Sequence, residues 1–261
     1  MGLFSVFDER PGPGVRPDEP RKRGFARWRE VIGRDLWKFW RAGMTMMVAS
    51  LPYLLGMYFA IITHAVLILL AACVIGGLIA GPFFCGLVDT ILRSLRDEPG
   101  FLELGWRRAM KQNWKDSLFP GALCCTLYGV QVFTVYHLDT GSVGLSDLLL
   151  LVIGFFVTTG FFIWFWPQIA LLDAPLPAKL KNAVLFAFTQ PLRTLGGALF
   201  CLFYLTAMLL FAPYSFAVFL FTGFWLPLSV ALLAMYQPME KAFHLEDSIR
   251  ILQEKDRSGK A

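Results

Sequence analysis

Amphipathic segments alternate with long apolar runs along this chain. The pattern is clearest at Arg107–Leu123, where a polar, basic stretch at helical spacing continues without interruption into an apolar segment. The same construction occurs at Arg34–Met44 and, in weaker form, at Phe188–Leu199. Corresponding dipeptides of the three stretches are 77 and 78 positions apart: Trp37-Lys38, Trp114-Lys115 and Leu192-Arg193. We therefore predict three units of one kind, each an amphipathic helix followed by a hydrophobic hairpin.

The apolar runs predict an all-α fold with six transmembrane helices arranged as three helical hairpins. An α-helix rises about 1.5 Å per residue, so about 20 apolar residues cross a hydrocarbon core of about 30 Å. The predicted membrane domain, 25–237, follows a Pro/Gly-rich tail at 1–24 and precedes a C-terminal amphipathic helix and tail at 238–261. The spans cover about 42–62, 65–92, 116–136, 148–172, 195–211 and 216–236.

Each amphipathic segment is predicted to lie at the membrane surface. Between Arg27 and Arg41, apolar and charged residues occupy opposite faces of a helix. A basic, tryptophan-rich helix of this kind lies in the headgroup region, with its indole rings at the interface and its bases near phosphates. The alternative is an ordinary helix that packs on a protein core.

The distribution of charge predicts the orientation of the chain. Only 16 % of the residues are charged, and 56 % are apolar. All 24 Lys and Arg residues lie before the first span, between the second and third, between the fourth and fifth, or after the sixth. Under the positive-inside rule, both termini and the amphipathic helices are cytoplasmic. The net charge of +5 therefore indicates contact with anionic lipid and no nucleic-acid partner.

The sequence offers little that indicates catalysis. Apart from Asp116 at the first position of the third span, Asp89 is the one acidic residue within a predicted span, and its spacing from Arg93 predicts an i,i+4 ion pair. His64 and His137 each lack a neighbouring residue at metal-ligand spacing. Phosphate-binding loops and nucleophile motifs are absent. We therefore predict a protein that is not an enzyme and that has no cofactor and no metal site.

Small residues and cysteines within the spans indicate packing. Gly77 and Gly81 are four residues apart, a spacing that lets helix backbones approach closely. A partner interface is the alternative for these glycines. The five cysteines all fall in apolar spans, so we predict that they are reduced packing residues.

Three blocks of sequence resemble the YesL-like family of bacterial integral membrane proteins, a domain of unknown function. The opening MGLFSVFDERPGPGV, followed by RKRGFARW and RDLWKFWR, is similar to the start of that family. The block FLELGWRRAMKQNWKDSL, with Asn113-Trp114-Lys115, and the block Lys181–Leu195 are similar to later family segments. The turn after the first span lacks the Ile-Gly-Pro-Ala-Thr pattern of the family.

The resemblance implies a multi-pass protein of the bacterial cytoplasmic (inner) membrane that works beside a carbohydrate-uptake system. We expect a non-enzymatic accessory that binds membrane lipid and another membrane protein, such as a carbohydrate permease. A small facilitator or transporter for a neutral or amphiphilic solute is the alternative. The candidate interfacial or partner-binding residues are Trp37, Lys38, Arg107, Arg108, Lys111, Trp114, Lys115 and Arg193.

Overall fold

The structure, a computed structural model, describes residues 22, 24–98, 102–138 and 144–246. The described residues form eight α-helices and no strand, which confirms the all-α prediction. The predicted N-terminal tail, the tip of the 137–147 loop and the end of the C-terminal helix lie outside the described residues. The helices are α1 Gly24–Thr63, α2 Val66–Leu95, α3 Leu102–His137, α4 Leu145–Leu171, α5 Leu176–Thr189, α6 Pro191–Leu210, α7 Ser215–Thr222 and α8 Trp225–Phe243.

The helices have the length and apolar character of membrane spans. Five of those described are long and apolar enough to cross a bilayer, and α7 with α8 makes a sixth if the bent pair is one span. Large apolar side chains remain exposed on the outer faces of the bundle, as lipid contact requires. Among them are Val48, Leu55 and Tyr58 of α1, Leu67 of α2 and Leu150 of α4. These features are those of a multi-pass membrane protein.

The first two amphipathic segments are not separate helices, contrary to the prediction. α1 has 40 residues and α3 has 36, and each continues from its amphipathic half into its apolar half. A 40-residue helix is about 60 Å long, twice the thickness of a hydrocarbon core. No proline or paired glycine interrupts the junction near Arg41, so the helix has no reason to end there.

The amphipathic half of α1 packs on protein instead of lying free on a surface. Val31, Asp35 and Phe39 are buried, and the Trp28 Nε1–H donates to Ser229 Oγ of α8 at 3.0 Å. One face of this segment therefore packs on protein, as the alternative predicts.

Two breaks divide the last third of the chain. α5 ends before Pro191, which begins α6, so the third unit alone has a separate amphipathic helix. The predicted sixth span is split into α7 and α8, which meet at an angle of 49°. Gly223 lies at the break with φ of +45°, a conformation that favours glycine. Pro227 follows in the first turn of α8, where its missing N–H is not needed.

The last span also extends further than predicted. Helix α8 continues through Pro238 to Phe243, so no boundary separates it from a C-terminal helix at 238. Pro238 has no N–H to donate to the carbonyl of Ala234 four residues earlier. Arg193 Nη1 of α6 donates to that oxygen at 3.1 Å. A side chain from a neighbouring helix thereby replaces the lost backbone hydrogen bond.

Helices α2 and α3 are in close backbone contact at three glycines. A Cβ atom on Gly77 would lie 2.5 Å from the carbonyl oxygen of Gly121, and one on Gly81 would lie 2.4 Å from that of Ser117. A Cβ on Gly121 would in turn lie 2.3 Å from the Gly77 oxygen. Side chains at these positions would force the helices apart. Gly77 and Gly81 thus lie in a contact within the chain.

Candidate functional site

A cavity of about 310 Å³ lies where the apolar parts of the helices meet. Its walls come from α1, α2, α3, α4 and α6 and from the start of α8. Every lining residue falls within one of the six predicted spans. The lining residues of α1 to α3 are Met46, Ser50, Tyr53, Leu54, Ala80, Gly81, Phe84, Gly121, Cys124, Cys125 and Tyr128. Those of the second half are Thr159, Phe162, Ile163, Trp166, Cys201, Leu205, Phe224, Pro227 and Leu228.

The cavity wall is neutral and mostly apolar. No Asp, Glu, Lys, Arg or His is among the lining residues that the structure describes. Two of its polar groups pair with each other, since the Tyr128 and Thr159 hydroxyl oxygens are 2.7 Å apart. The Ser50 hydroxyl donates to Met46 O within its own helix at 2.8 Å. Such a wall suits an uncharged molecule.

One buried donor of the wall has no hydrogen-bond partner among the described residues. Trp166 is 3 % exposed, and its Nε1–H meets no acceptor in hydrogen-bond geometry. The Cys124 sulfur is the nearby group that interacts with this indole, but a thiol is a weak acceptor. A buried donor without a partner costs roughly 1–3 kcal/mol.

One end of the bundle, called the basic end below, contains Arg34, Arg93 and Arg107. A partly buried ion-pair network lies at this end. Asp97 accepts from Arg27 Nη2 at 2.6 Å and from Arg34 Nη1 at 2.5 Å. Arg27 is 4 % exposed and also donates to Leu95 O at 2.9 Å. These contacts fasten the amphipathic half of α1 to the end of α2.

The network shifts the ionisation of its members. Burial alone would raise the pKa of Asp97, but hydrogen bonds from Arg34 and Arg27 outweigh it and hold this pKa below its ordinary value. Burial alone would lower the pKa of Arg34. Asp97 and Asp35 outweigh this effect through their hydrogen bonds and negative charges, and the pKa of Arg34 is raised. The charged forms of both partners are thus the stable ones, and the cluster has a structural role.

Two other buried charges at the basic end are also paired. Asp89 is 4 % exposed, and its Oδ2 lies 2.7 Å from Arg93 Nε, which confirms the predicted i,i+4 ion pair, although the angle is not that of a hydrogen bond. Lys179 of α5 is 1 % exposed and donates to Asp116 Oδ2 of α3 at 2.8 Å. The pairing of Lys179 with Asp116 was not predicted, since 63 residues separate them.

The predicted interfacial residues divide into two groups. Lys38 pairs with Asp35 at 3.0 Å, and Arg193 completes the α8 hydrogen bonding, so both make contacts within the chain. Trp37 is exposed and stacks on Trp40 with ring centroids 4.7 Å apart. The remaining five lie exposed on the first half of α3 and are called the α3 basic face below: Arg107, Arg108, Lys111, Trp114 and Lys115.

The α3 basic face has no acidic partner among the described residues. None of its four bases forms an ion pair with them, and Lys115 lies over the Trp114 ring at 5.8 Å from its centroid. This surface is free to meet lipid phosphates or an acidic partner.

The opposite end of the bundle, at the turn between α1 and α2, brings His64 and His137 together. His64 Nδ1 and His137 Nε2 are 2.7 Å apart, although the spacing of the two histidines along the sequence does not predict that they meet. The predicted topology places both on one side of the membrane, but it carries no information on which helix ends meet. Among the described residues, no group of three or more His, Cys, Asp or Glu could hold a metal ion.

Comparison with protein-family models, with curated proteins and with solved structures finds no match for this chain. The resemblance to the YesL-like family therefore stays a prediction.

Proposed function

We propose that this protein binds a small, uncharged, largely apolar or amphiphilic molecule within the membrane and acts as a facilitator or transporter for it. The cavity between the spans carries this proposal. Its volume of about 310 Å³ lies at the lower end of the roughly 300–1,000 Å³ usual for ligand pockets, which favours a small molecule. The neutral wall argues against an ion-coupled mechanism that needs charges within the membrane.

The chemistry of the wall defines the ligand further. The apolar body of the ligand would pack against the aromatic and aliphatic lining, as in most ligand pockets. A hydroxyl of the ligand could exchange hydrogen bonds with Tyr128 and Thr159. Medium-chain alcohols, monoglycerides and similar neutral amphiphiles have this combination.

Native mass spectrometry of the protein, purified in mild detergent, tests the proposal. Ser50→Phe places a ring in the cavity and loses only a hydrogen bond within α1. Val48→Phe adds the same ring at a position that is 62 % exposed on the same helix, and it serves as the matched control. We expect the wild type and Val48→Phe to show an added mass from a bound neutral molecule. Ser50→Phe should lack this added mass. Equal occupancy in all three proteins would refute the proposal.

A second candidate function, an accessory that docks on another membrane protein such as a permease, is favoured by the α3 basic face. Its bases, which pair with no acidic residue in the part of the chain that the structure describes, and the exposed Trp114 suit an acidic partner surface as well as lipid. Charge reversal of Arg107, Arg108 and Lys111 should remove a co-purifying partner, whereas Arg29→Glu, at an exposed base on α1, should keep it. Unchanged membrane insertion and unchanged partners in the triple variant would exclude this role.

The proposed setting is the bacterial cytoplasmic membrane, with both termini in the cytoplasm. The confinement of all 24 basic residues to four segments supports this orientation. Reporter fusions after residue 140 should read external, and fusions after 100, 180 and 255 should read cytoplasmic. A fusion of the second group that reads external would overturn the topology.

A further inference from the structure

The two histidines opposite the basic end form a geometrically defined pair. His64 follows α1, and His137 is the last residue of α3. Besides the contact of 2.7 Å between His64 Nδ1 and His137 Nε2, their rings lie nearly perpendicular, at 82°, with centroids 4.7 Å apart. His64 is exposed and His137 is half-buried, so the pair is accessible at the surface of the protein.

The hydrogen bonds of the pair define where the protons lie. His137 Nδ1 is 2.8 Å from the Phe133 carbonyl oxygen, which can only accept, so this nitrogen carries the proton. His137 Nε2 therefore presents a lone pair to its neighbour when the ring is neutral. His64 Nδ1 must then be the donor, which leaves the lone pair of its Nε2 on the exposed side.

Both imidazoles are held by backbone geometry and by packing. The His64 N–H donates to Ile61 O and the Ala65 N–H to Ala60 O, the two bonds of a Schellman motif that ends α1. His64 occupies the left-handed position of that motif, with φ of +54°, where glycine is the usual residue. The His137 ring stacks on Phe133 with centroids 4.0 Å apart. The approach of the two rings therefore does not depend on a long flexible segment.

We propose that His64 and His137 bind a divalent transition-metal ion of the zinc and copper class. A histidine that ligates a metal usually donates its other ring N–H to a carbonyl or carboxylate, and His137 already donates Nδ1–H to Phe133 O. Its Nε2 lone pair is thereby oriented as a ligand. Neutral imidazole is a ligand that suits zinc, copper and nickel.

Metal binding requires only a small rearrangement. His64 moves its proton from Nδ1 to the exposed Nε2, so both rings remain neutral and both facing nitrogens offer lone pairs. Tetrahedral coordination at about 2.0–2.1 Å per bond needs the nitrogens roughly 3.3 Å apart. The present separation of 2.7 Å must therefore widen by about 0.6 Å, which a small side-chain rotation supplies. The described residues supply two protein ligands, so water molecules complete the coordination sphere of the metal ion. Because only two protein ligands hold the ion, it exchanges readily.

Zinc titration by isothermal calorimetry, on protein purified through an affinity tag free of histidine, tests the site. We expect one zinc ion per chain and a loss of affinity of at least about tenfold in His64→Asn and in His137→Gln. Asparagine tolerates the left-handed backbone, so His64→Asn keeps the turn. His244→Asn is the matched control, because His244 also has positive φ, at +47°, and ends α8.

The variants and the wild type together decide the outcome. His244→Asn should bind zinc like the wild type, and all metal-free proteins should have the same melting temperature. X-ray absorption of the zinc-loaded wild type should show two imidazole nitrogens at about 2.0–2.1 Å. Wild-type affinity in His64→Asn or His137→Gln, or a sulfur ligand in the absorption spectrum, would overturn the proposal.

Discussion

Arg193 is expected to stabilise the protein by completing the hydrogen bonding of α8. Pro238 deprives the Ala234 carbonyl of its helical donor, and Arg193 Nη1 donates to that oxygen at 3.1 Å. Replacing Arg193 with Met keeps an apolar stem of similar length and removes the donor. A part-buried carbonyl left without a partner costs up to roughly 1–3 kcal/mol. The free energy of unfolding of Arg193→Met should fall by about this amount.

A double-mutant cycle isolates this contribution. Pro238→Ala restores an N–H at 238, which can donate to Ala234 O and makes Arg193 redundant. In the Pro238→Ala background, Arg193→Met should therefore cost at least about 1 kcal/mol less than in the wild type. Gln237→Leu is the control, because Gln237 Oε1 accepts from the same guanidinium at a long 3.5 Å and from an exposed position. Its loss should change the stability by no more than about 0.5 kcal/mol.

The assay is thermal unfolding in detergent, followed by tryptophan fluorescence. For a chain of this size, 1 kcal/mol corresponds to a shift of about 2–4 °C in Tm. Arg193→Met should lower the Tm by several degrees in the wild-type background and by clearly less in Pro238→Ala. Equal shifts in the two backgrounds would refute the reasoning, since Arg193 would then act through some other contact.

Three further predictions concern charge and packing. Asp116→Asn should destabilise more than Lys179→Met, because Lys179 has 1 % of its side chain exposed whereas Asp116 has 50 %. An unpaired buried charge costs about 3–5 kcal/mol, while an exposed one is solvated; equal Tm shifts for the two variants would contradict this account. Gly121→Val should separate α2 from α3 and lower the Tm by several degrees, up to about 12 °C, and a near-native Tm would show that the close contact is not required. The pKa of Asp97 is lower in the folded protein than in the unfolded chain, so the ionised form of Asp97 stabilises the fold. This stabilisation is complete when the pH is above the ordinary pKa of about 4, and it is lost as the pH falls through the lowered pKa. Unfolding measured from pH 6 to pH 3 should therefore depend on pH less in Asp97→Asn than in the wild type, and identical profiles would exclude this contribution.

The helical content and the spans were predictable because apolar runs of membrane length have few other solutions. The Asp89–Arg93 pair followed from its spacing alone. The continuity of α1 was missed because amphipathicity signals a two-faced helix but does not say whether lipid or protein covers its apolar face. The break at Gly223 was missed because a glycine within an apolar run is common in membrane helices.

The candidate site was less predictable than the fold. Proximity of Lys179 to Asp116, or of His64 to His137, depends on which helices become neighbours after folding. Single-sequence periodicity describes each helix separately and contains no such information. The cavity likewise results from the angles between helices. Its neutrality could be foreseen, because the spans contain almost no charged residues.

Photolabelling of the cavity tests the central claim most directly. A diazirine derivative of octanol, added to the protein in mild detergent and irradiated, combines an apolar chain with one hydroxyl. We predict saturable labelling of the segments 121–128 and 159–166, which unlabelled octanol displaces. Labelling of these segments should disappear in Ser50→Phe and persist in Val48→Phe. Labelling confined to exposed apolar residues, without saturation and equal in both variants, would contradict the account.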